Sequence, residues 1–326
     1  MSAGFHIVQG GLQTTLQDGG RTGLLALGVP HSGALDPLSF RLSNRIVGND
    51  ANSAALELRS PGPVLRFEGK AGRIALAGTS VPLLVERKGT VQEWPAWRAV
   101  DLQDGDVVSV SPFADTAVAY LAALGGFDVP EQLGSRSTFL RGGFGGLDGK
   151  PLQTGGVLKL LHDGAPDAPC HTLLRPPSFV ASPVLRALPG PQADYFKEEA
   201  QSAFFGRPFT VSRDLDRMGM RLDGPVLAHS KSADIASDAT VPGAVQVPGS
   251  SQPILLLNDC QTTGGYPKIA VVITADLFRA GRLMPGHEIR FRKVTMTEAE
   301  EARAEAAHAY RSMANTIVPV RAGVQI

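Results

Sequence analysis

Hydrogen-bonding side chains are concentrated in one short run of the sequence. Between residues 261 and 270 the chain carries an amide, two hydroxyls, a phenol, an amine and a glycine pair, namely Gln261, Thr262, Thr263, Gly264, Gly265, Tyr266 and Lys268. The apolar stretches on either side, residues 254–257 and 269–273, are typical of strands. A sheet interior requires none of these polar groups. The run therefore predicts a surface at a strand end that holds a polar ligand.

The residue types in this run suit the stabilisation of negative charge. Gly264 and Gly265 allow the backbone to approach a ligand closely, and their amides can act as an oxyanion site. We take Lys268, Asp259 and Tyr266 as candidate catalytic residues, with Asp259 either orienting Lys268 or acting as a base. The alternative is an ordinary hairpin turn that carries polar side chains on its surface, with Asp259 capping the turn.

A second cluster lies between residues 212 and 222, where three arginines and two aspartates occur together. Arg213 and Arg217 are candidate substrate-binding residues because guanidinium groups clamp carboxylates and phosphates. The same charges can instead neutralise one another in a structural turn.

Two N-terminal segments add further candidate substrate-binding residues. Ser32 and Asp36 lie in the first, although no Gly-x-Ser-x-Gly motif surrounds Ser32 and Asp36 is also placed to cap a helix. The second contains Ser135, Arg136 and Ser137 before a glycine-rich stretch, residues 142–149, which is either a lid or a long hairpin and is not a Walker loop. The seven histidines are scattered without metal-binding spacing, so we expect no metal.

Composition restricts the class of protein. With 326 residues, 43% of them hydrophobic, two domains are expected. Lys plus Arg equals Asp plus Glu at 31 each, so no net charge attracts nucleic acid or an anionic membrane. The two cysteines are 90 positions apart, and the N-terminus does not resemble a signal peptide. We expect a cytoplasmic protein without disulfides.

Turn residues separate short apolar runs throughout the chain. The 37 glycines and 24 prolines among Val, Ile and Leu runs predict a mainly β protein. Helices are predicted after Asp36, with Pro37 at the first position and Gly48 at the end, and over residues 192–204. A last helix is predicted from a Thr297 and Glu300 capping box.

A weak internal repeat indicates two halves. Pro61-Gly62 aligns with Pro242-Gly243, and Gly105 aligns with Gly286, both at a spacing of 181 (242−61 and 286−105). A duplicated β domain explains this spacing, while chance recurrence of Pro-Gly turns is the alternative.

Five runs together resemble one family in the same order along the chain. They are residues 11–18, 29–36, 134–138, 216–219 and 241–270. They are similar to the biotin-dependent carboxyltransferase family known as allophanate hydrolase subunit 2, which includes the C subunit of 5-oxoprolinase. The resemblance covers roughly residues 5 to 293 and implies two cyclophilin-like β-barrel domains with a few peripheral helices. The expected boundaries are residues 1–177, 178–296 and a C-terminal helix and tail, 297–326.

Two activities are associated with this family. One is the ATP-dependent opening of 5-oxoproline to glutamate together with subunits A and B, and the other is carboxyl transfer from biotin to urea or allophanate-type acceptors. A third possibility is a regulatory antagonist that binds a kinase-inhibitor partner. We predict a 5-oxoprolinase subunit that is inactive alone, with ATP bound in the complex and biotin required only for the carboxyltransferase alternative.

Overall fold

Two compact units make up the protein. The computed structural model describes residues 3–162, 168–179 and 183–320. Unit 1 consists of Met1–Arg21, Ser32–Pro177 and Tyr310–Ile326, and unit 2 of Thr22–His31 and Ser178–Ala309. In chain order the first strands are β1 (Gly4–Gln9), β2 (Gln13–Gln17), β3 (Ala55–Arg59), β4 (Val64–Glu68), β5 (Gly72–Ala77), β6 (Leu83–Arg87), β7 (Thr90–Trp94), β8 (Ala99–Leu102), β9 (Val107–Val110), β10 (Ala119–Ala123), β11 (Val157–Lys159) and β12 (Cys170–Leu173).

The remaining strands are β13 (Val184–Pro189), β14 (Phe209–Leu215), β15 (Gly219–Asp223), β16 (Asp238–Ala239), β17 (Ala244–Gln246), β18 (Ile254–Leu256), β19 (Thr263–Gly264), β20 (Lys268–Val272), β21 (Glu288–Lys293) and β22 (Ile317–Val320). The helices are α1 (Pro37–Val47), α2 (Glu198–Gly206), α3 (Leu277–Gly281) and α4 (Met296–Ala314), with 3-10 turns at Leu25–Leu27, Ala193–Tyr195 and Thr274–Asp276. The prediction of a mainly β protein is confirmed. None of the helices in the described residues combines the length and the apolar character needed to span a lipid bilayer.

Unit 1 contains two larger sheets around one apolar core. The six-stranded sheet has the order β11-β1-β4-β9-β6-β7 and the five-stranded sheet the order β2-β3-β10-β5-β8. Alternate side chains of both sheets enter the core, among them Phe5, Phe67, Leu56 and Leu121. The rings of Phe5 and Phe67 lie 5.4 Å apart on paired strands, so the two aromatic residues fix the register of β1 against β4.

Helix α1 is positioned by the residues that the sequence singles out. The Asp36 carboxylate accepts hydrogen bonds from the amides of Leu38 and Ser39, both at 3.1 Å, and Pro37 occupies the first turn. Gly48 ends the helix in the left-handed region at φ 95°. Leu42 and Ile46 are buried. The prediction of this helix and of both of its ends is confirmed.

Unit 2 is built on a closed seven-stranded barrel. The strand order is β13-β20-β17-β18-β15-β14-β21, and the parallel pair of β13 with β21 closes the ring. Helix α2 packs on the barrel through Phe204, whose ring stacks on Phe291 at 4.3 Å and lies near Phe209. In place of one helix over residues 192–204, the structure has the turn Ala193–Tyr195 followed by α2.

The capping box of helix α4 lies two residues before the predicted one. The observed box consists of Thr295 and Glu298: the Glu298 amide donates to Thr295 Oγ1 at 3.2 Å, and the Thr295 amide donates to the Glu298 carboxylate at 2.6 Å. The predicted Thr297–Glu300 box is wrong. Both pairs satisfy the same spacing, and packing selects between them because Ala302 is buried against Val294 and Ile273.

Candidate functional site

The polar run is anchored to the barrel of unit 2 by its last residue. Lys268 opens β20 and pairs across the ladder with Gln246 of β17, beside a register shift between Val245 and Gln246. Directly paired residues present their side chains on the same face of a sheet. Both side chains are buried, with 3% of Lys268 and 1% of Gln246 exposed. Two long hydrogen-bonding side chains thus lie together under the surface.

An aspartate that the sequence analysis did not consider holds the Lys268 ammonium group. Lys268 Nζ lies 2.7 Å from Asp238 Oδ2, and the side chain of Asp238 is 46% exposed. Gln192 braces both partners: its Nε2 donates to the same carboxylate oxygen at 2.9 Å, and its Oε1 accepts from the Lys268 amide at 3.2 Å. The hydrogen bond from Lys268, followed by that from Gln192, lowers the pKa of Asp238 from 3.8 to about 2.

This ion pair predicts a pH dependence that can be assigned to one residue. Because the pKa of Asp238 is lower in the folded protein, its stabilising effect is fully present above pH 3.8 and is lost as the pH falls towards 2. We expect the Asp238 carboxyl resonance, followed by NMR, to titrate with a midpoint of about 2, and the Lys268→Met variant to raise that midpoint. An unchanged midpoint in the variant would contradict the pairing.

A short two-stranded ribbon covers this pair of side chains. Strands β16 and β19 are antiparallel, with Asp238 opposite Gly264 and Ala239 opposite Thr263. We call them the β16–β19 ribbon. Gln261, which precedes the ribbon's second strand, donates from Nε2 to Gln246 Oε1 at 3.1 Å. The Thr240 hydroxyl donates to the Gln261 carbonyl, and the Thr240 amide donates to the Thr262 carbonyl at 2.9 Å. The ribbon is therefore tied to the barrel by side chains.

Asp259 pairs with Arg217 and not with Lys268. Arg217 Nε lies 2.9 Å from Asp259 Oδ2, its second nitrogen lies 3.1 Å from Oδ1, and both side chains are 4% exposed. The Asp259 amide donates to the Arg217 carbonyl at 2.9 Å, which ties the two loops together through the backbone as well. The arrangement is a buried bidentate ion pair. This geometry favours a structural ion pair at Arg217 over a role in clamping a ligand. The residue beside Lys268 is Asp238, where the sequence suggested Asp259.

The other residues of the two predicted clusters lie nearer the surface. Tyr266 is 39% exposed and Thr263 is exposed, while Thr262 and Gly265 are intermediate. Arg213 is exposed on β14. A nearby pair, Arg221 with Asp214, is an open surface contact at 3.7 Å.

In unit 1 the predicted serines are bound by an aspartate. The hydroxyls of Ser135 and Ser137 both donate to Asp18 Oδ1 at 2.6 Å, and the Arg136 amide donates to Oδ2 at 2.6 Å. The Arg136 guanidinium donates to the Val129 carbonyl at 3.1 Å. Asp18, Ser135 and Ser137 are buried. We call Asp18, Ser135, Arg136 and Ser137 the Asp18 cluster, and its geometry closes a loop rather than presenting hydroxyls to a ligand.

Asp36 and Ser32 are likewise buried in unit 1. Besides capping α1, Asp36 accepts from the Ser39 hydroxyl at 2.6 Å, and its amide donates to the Tyr120 hydroxyl at 2.8 Å. Tyr120 in turn donates to Glu57 at 2.7 Å, and burial together with Glu57 raises the pKa of Tyr120 well above its usual value. Ser32 is fully buried with φ 52°.

The glycine-rich stretch of unit 1 folds tightly onto its own neighbours. A methyl group at Gly145 would lie 2.0 Å from the Ser137 carbonyl oxygen, and one at Gly146 would lie 2.0 Å from Thr138 Oγ1. The rings of Phe139 and Phe144 pack edge to face at 5.6 Å. The space that a phosphate cradle requires is thus filled by the protein itself, so these residues do not fit the phosphates of ATP.

Thiol and metal chemistry find little support in the described residues. Burial, followed by nearby aspartates, raises the pKa of Cys170 to about 11 and that of Cys260 to about 12. Neither thiol is therefore a thiolate nucleophile at neutral pH. In residues 3–162, 168–179 and 183–320, no three His, Cys, Asp or Glu side chains come together in a way that can hold a metal ion.

The structure brings together only part of the predicted set. Lys268, Gln261, Thr263 and Gly264 meet in unit 2, and they are joined by four residues that sequence reasoning missed, namely Gln192, Asp238, Thr240 and Gln246. Gln246 carried a usable signal, because it is a lone amide in the otherwise apolar run 244–247. The positions of Gln192 and Asp238 carried none.

Comparison with known proteins gives a consistent family. The chain is 36% identical to the C subunit of the 5-oxoprolinase of Escherichia coli over 94% of its own length and 97% of that protein, and 34% identical to the corresponding subunit of Haemophilus influenzae over 89% and 91%. The crystal structure of the K. lactis urea amidolyase superposes with a TM-score of 0.85 at 31% identity, covering 97% of this chain and 21% of that one. This chain therefore spans about a fifth of the urea amidolyase.

A solved structure of TTHA0988 gives a second superposition, with a TM-score of 0.78 at 36% identity over 89% of this chain and 56% of that one. The more distant relatives by sequence are named urea amidolyase and putative urea carboxylase. Residues 27–293, which include both the Asp18 cluster's serines and the whole Lys268 site, match one domain family. The chain belongs to the family described as carboxyltransferase domain, subdomain A and B.

Proposed function

We propose that this protein is one subunit of a heteromeric, ATP-dependent 5-oxoprolinase, the C component, which opens 5-oxoproline to glutamate together with subunits A and B. The observation that carries the proposal is the similarity to the C subunit of 5-oxoprolinase along nearly the full length of both chains. The match covers 94% of this chain and 97% of that relative. The proposed complex is a hydrolase, and this chain is inactive alone.

The Lys268 site supplies what the reaction requires of a binding subunit. A lactam is poorly reactive, and its opening needs hydrogen-bond donors where negative charge develops on the carbonyl oxygen or on an attached phosphoryl group. Lys268 and Gln246 provide an ammonium and a carboxamide side by side on one ladder. Among the residues predicted from sequence, we propose Lys268, Gln261, Thr262, Thr263, Gly264 and Gly265 as the substrate-facing set, with Tyr266 at its exposed margin.

ATP is assigned to the partner subunits. The glycine-rich stretch of unit 1 is filled by its own backbone contacts and does not fit the phosphates. When bound, ATP would supply the phosphoryl group that activates the lactam carbonyl. This chain would contribute the donors that hold that carbonyl in place.

The test is a reconstitution with subunits A and B of the same organism. The three proteins together should convert 5-oxoproline, ATP and water to glutamate, ADP and inorganic phosphate, and omission of this chain should abolish the conversion. Formation of glutamate without this chain would refute the proposal. Parallel assays with urea and a biotinylated carboxylase partner test the alternative, a carboxyltransferase component, which the urea amidolyase superposition supports.

Within that complex, Lys268→Met should lower kcat/KM for 5-oxoproline by about a hundredfold, as loss of a donor to a developing negative charge does in other enzymes. The variant keeps the apolar stem of the lysine, and its partner Asp238 is 46% exposed, so water can solvate the carboxylate that remains. The fold should persist. Kinetics of the reconstituted complex and a thermal melt of the variant measure the two effects.

The matched control is Lys231→Met, which removes a second lysine–aspartate pair of unit 2. Lys231 pairs with Asp194 at an exposed position, with side chains 51% and 65% accessible. Its kcat/KM should stay within about twofold of the wild-type value because exposed pairs contribute little. Equal losses in both variants would remove Lys268 from the proposed site.

A further inference from the structure

The side-chain amide of Gln246 is a buried donor in unit 2. No hydrogen-bond partner lies near Gln246 Nε2 in the part of the chain that the structure describes, and the residue is 1% exposed. A buried polar group without a partner costs about 1–3 kcal/mol of stability. Buried side-chain donors are normally satisfied, so an exception of this kind needs a physical reason.

The orientation of this donor is fixed by the other end of the same carboxamide. Gln246 Oε1 accepts from Gln261 Nε2 at 3.1 Å, which directs Nε2 towards the β16–β19 ribbon. There it faces Gly264: a methyl group at position 264 would lie 2.4 Å from Nε2 and 3.2 Å from Thr240 Cγ2. A methyl group at this position would therefore force either the Gln246 amide or the ribbon to shift.

A second donor lies beside the first. Lys268 is the ladder partner of Gln246, and Asp238, its acceptor among the described residues, takes one of the three ammonium protons. The two residues therefore offer donors from adjacent positions on one face of the barrel. Because Lys268 and Asp238 together carry no net charge, the pair attracts a neutral acceptor without the field that would draw in a free anion.

We propose that Gln246 Nε2 and Lys268 Nζ form a binding site for the carbonyl oxygen of a neutral amide. The site is reached when β19, the ribbon strand that carries Gly264, moves away while Asp238 on β16 stays paired with Lys268. The inference rests on the proposed function, since 5-oxoproline carries such a lactam carbonyl. It assigns the carbonyl oxygen, and not the carboxylate, to this site. Gln246 is then a substrate-binding residue, and Gly264 is the position at which β19 closes over its donor.

The binding test uses the full-length chain and ligands that separate the two groups. In a protein labelled with 15N-glutamine, the Gln246 side-chain signals are assigned by their disappearance in Gln246→Glu. Titration with 2-pyrrolidinone, a lactam without a carboxylate, and with 5-oxoproline should shift these signals. Acetate, a carboxylate without an amide, should leave them in place. A shift caused by acetate alone, or by none of the three ligands, would overturn the proposal.

Two glycine variants supply the matched comparison. Gly264→Ala should tighten 2-pyrrolidinone binding by up to about tenfold, because its methyl group would lie 2.4 Å from Nε2 in the closed arrangement and so favours the open state that binds the ligand. Gly249→Ala, in a turn of the same unit outside the proposed site, should bind as the wild type does, because the nearest atom to its methyl group would be Ala233 Cβ at 3.8 Å. Should Gly264→Ala fail to fold, Gln246→Glu carries the test, since it keeps the acceptor for Gln261 and removes the donor. Wild-type affinity in a folded Gly264→Ala or in Gln246→Glu would overturn the proposal.

The outcomes also separate this inference from the proposed function. Lactam binding at Gln246 without glutamate formation in the three-subunit mixture would support the amide site and refute the 5-oxoprolinase assignment. Glutamate formation with Gln246 signals that no ligand shifts would support the assignment and refute the amide site.

Discussion

Replacement of Asp18 by alanine is expected to lower the free energy of unfolding of unit 1 by about 4 kcal/mol, because four hydrogen bonds to one carboxylate are lost together. The donors are the hydroxyls of Ser135 and Ser137 at 2.6 Å, the Arg136 amide at 2.6 Å and the Gly20 amide at 2.8 Å. Both hydroxyls are buried, so water replaces the carboxylate poorly. The two tryptophans of the chain, Trp94 and Trp97, lie in unit 1 and report its unfolding in urea by fluorescence.

The control for this variant is Asp104→Ala. Asp104 is exposed, and its carboxylate accepts a hydrogen bond from the Gly69 amide at 3.0 Å. Its loss should cost about 1 kcal/mol or less, since solvent satisfies the amide. If the two variants unfold at the same urea concentration, the Asp18 cluster does not hold this part of unit 1 together.

The second large effect is expected in unit 2 at the buried ion pair. Arg217→Met should destabilise the barrel by about 3–5 kcal/mol, because it leaves the Asp259 carboxylate, 4% exposed, without its bidentate guanidinium partner. Methionine fills most of the volume of the arginine stem, so the loss of the charge partner dominates. Hydrogen exchange measured by mass spectrometry on peptides containing β15 and β18 follows the barrel directly.

Arg221→Met tests the same chemistry at the surface. Arg221 lies on β15 and pairs with Asp214 at 3.7 Å, with side chains 45% and 76% exposed. An exposed pair of this kind is worth about 0–1 kcal/mol. The prediction for Arg217 fails if both variants show the same exchange rates in the barrel peptides.

Arg217 and Lys268 differ in what their removal should affect, namely stability for Arg217 and ligand binding for Lys268. Each is itself buried and each pairs with an aspartate, but the partner of Arg217 is enclosed whereas the partner of Lys268 is 46% exposed. Loss of the first cation leaves a carboxylate that water cannot reach. Loss of Lys268 leaves the carboxylate of Asp238, which water can reach. Stability should therefore depend on Arg217, and binding chemistry on Lys268.

The sequence predicted elements whose signals are local. The prediction of helix α1 is correct at both ends because Asp36, Pro37 and Gly48 act on the backbone within one turn of their own positions. The predicted start of α4 is wrong because Thr295 and Thr297 both have a glutamate three positions later. The observed box at Thr295 accompanies the packing of Ala302 against Val294. The local sequence is compatible with both capping boxes, and tertiary packing determines which one forms.

The site was predicted in part for the same reason. The polar run that contains Lys268 is visible in the sequence, but the residue that holds the ammonium group, Asp238, lies 30 positions away on β16 of the ribbon. No spacing rule links the two residues. Asp259, the nearer carboxylate, was the natural choice from sequence and is directed to Arg217 instead. Pairings between distant strands require the register of the barrel.

The β16–β19 ribbon has a consequence for how this unit can change shape. Each of its strands contains two residues, whereas the ring of seven strands beneath it is closed on itself. Detaching the ribbon breaks very few backbone hydrogen bonds, and none of them belongs to the ring. The ribbon's other ties to the barrel are side-chain contacts such as Asp238 with Lys268 and Gln261 with Gln246. Local opening at this point is therefore energetically separable from unfolding of the barrel. The closed barrel can keep the side chains of Gln246 and Lys268 in place while the ribbon above them opens to solvent.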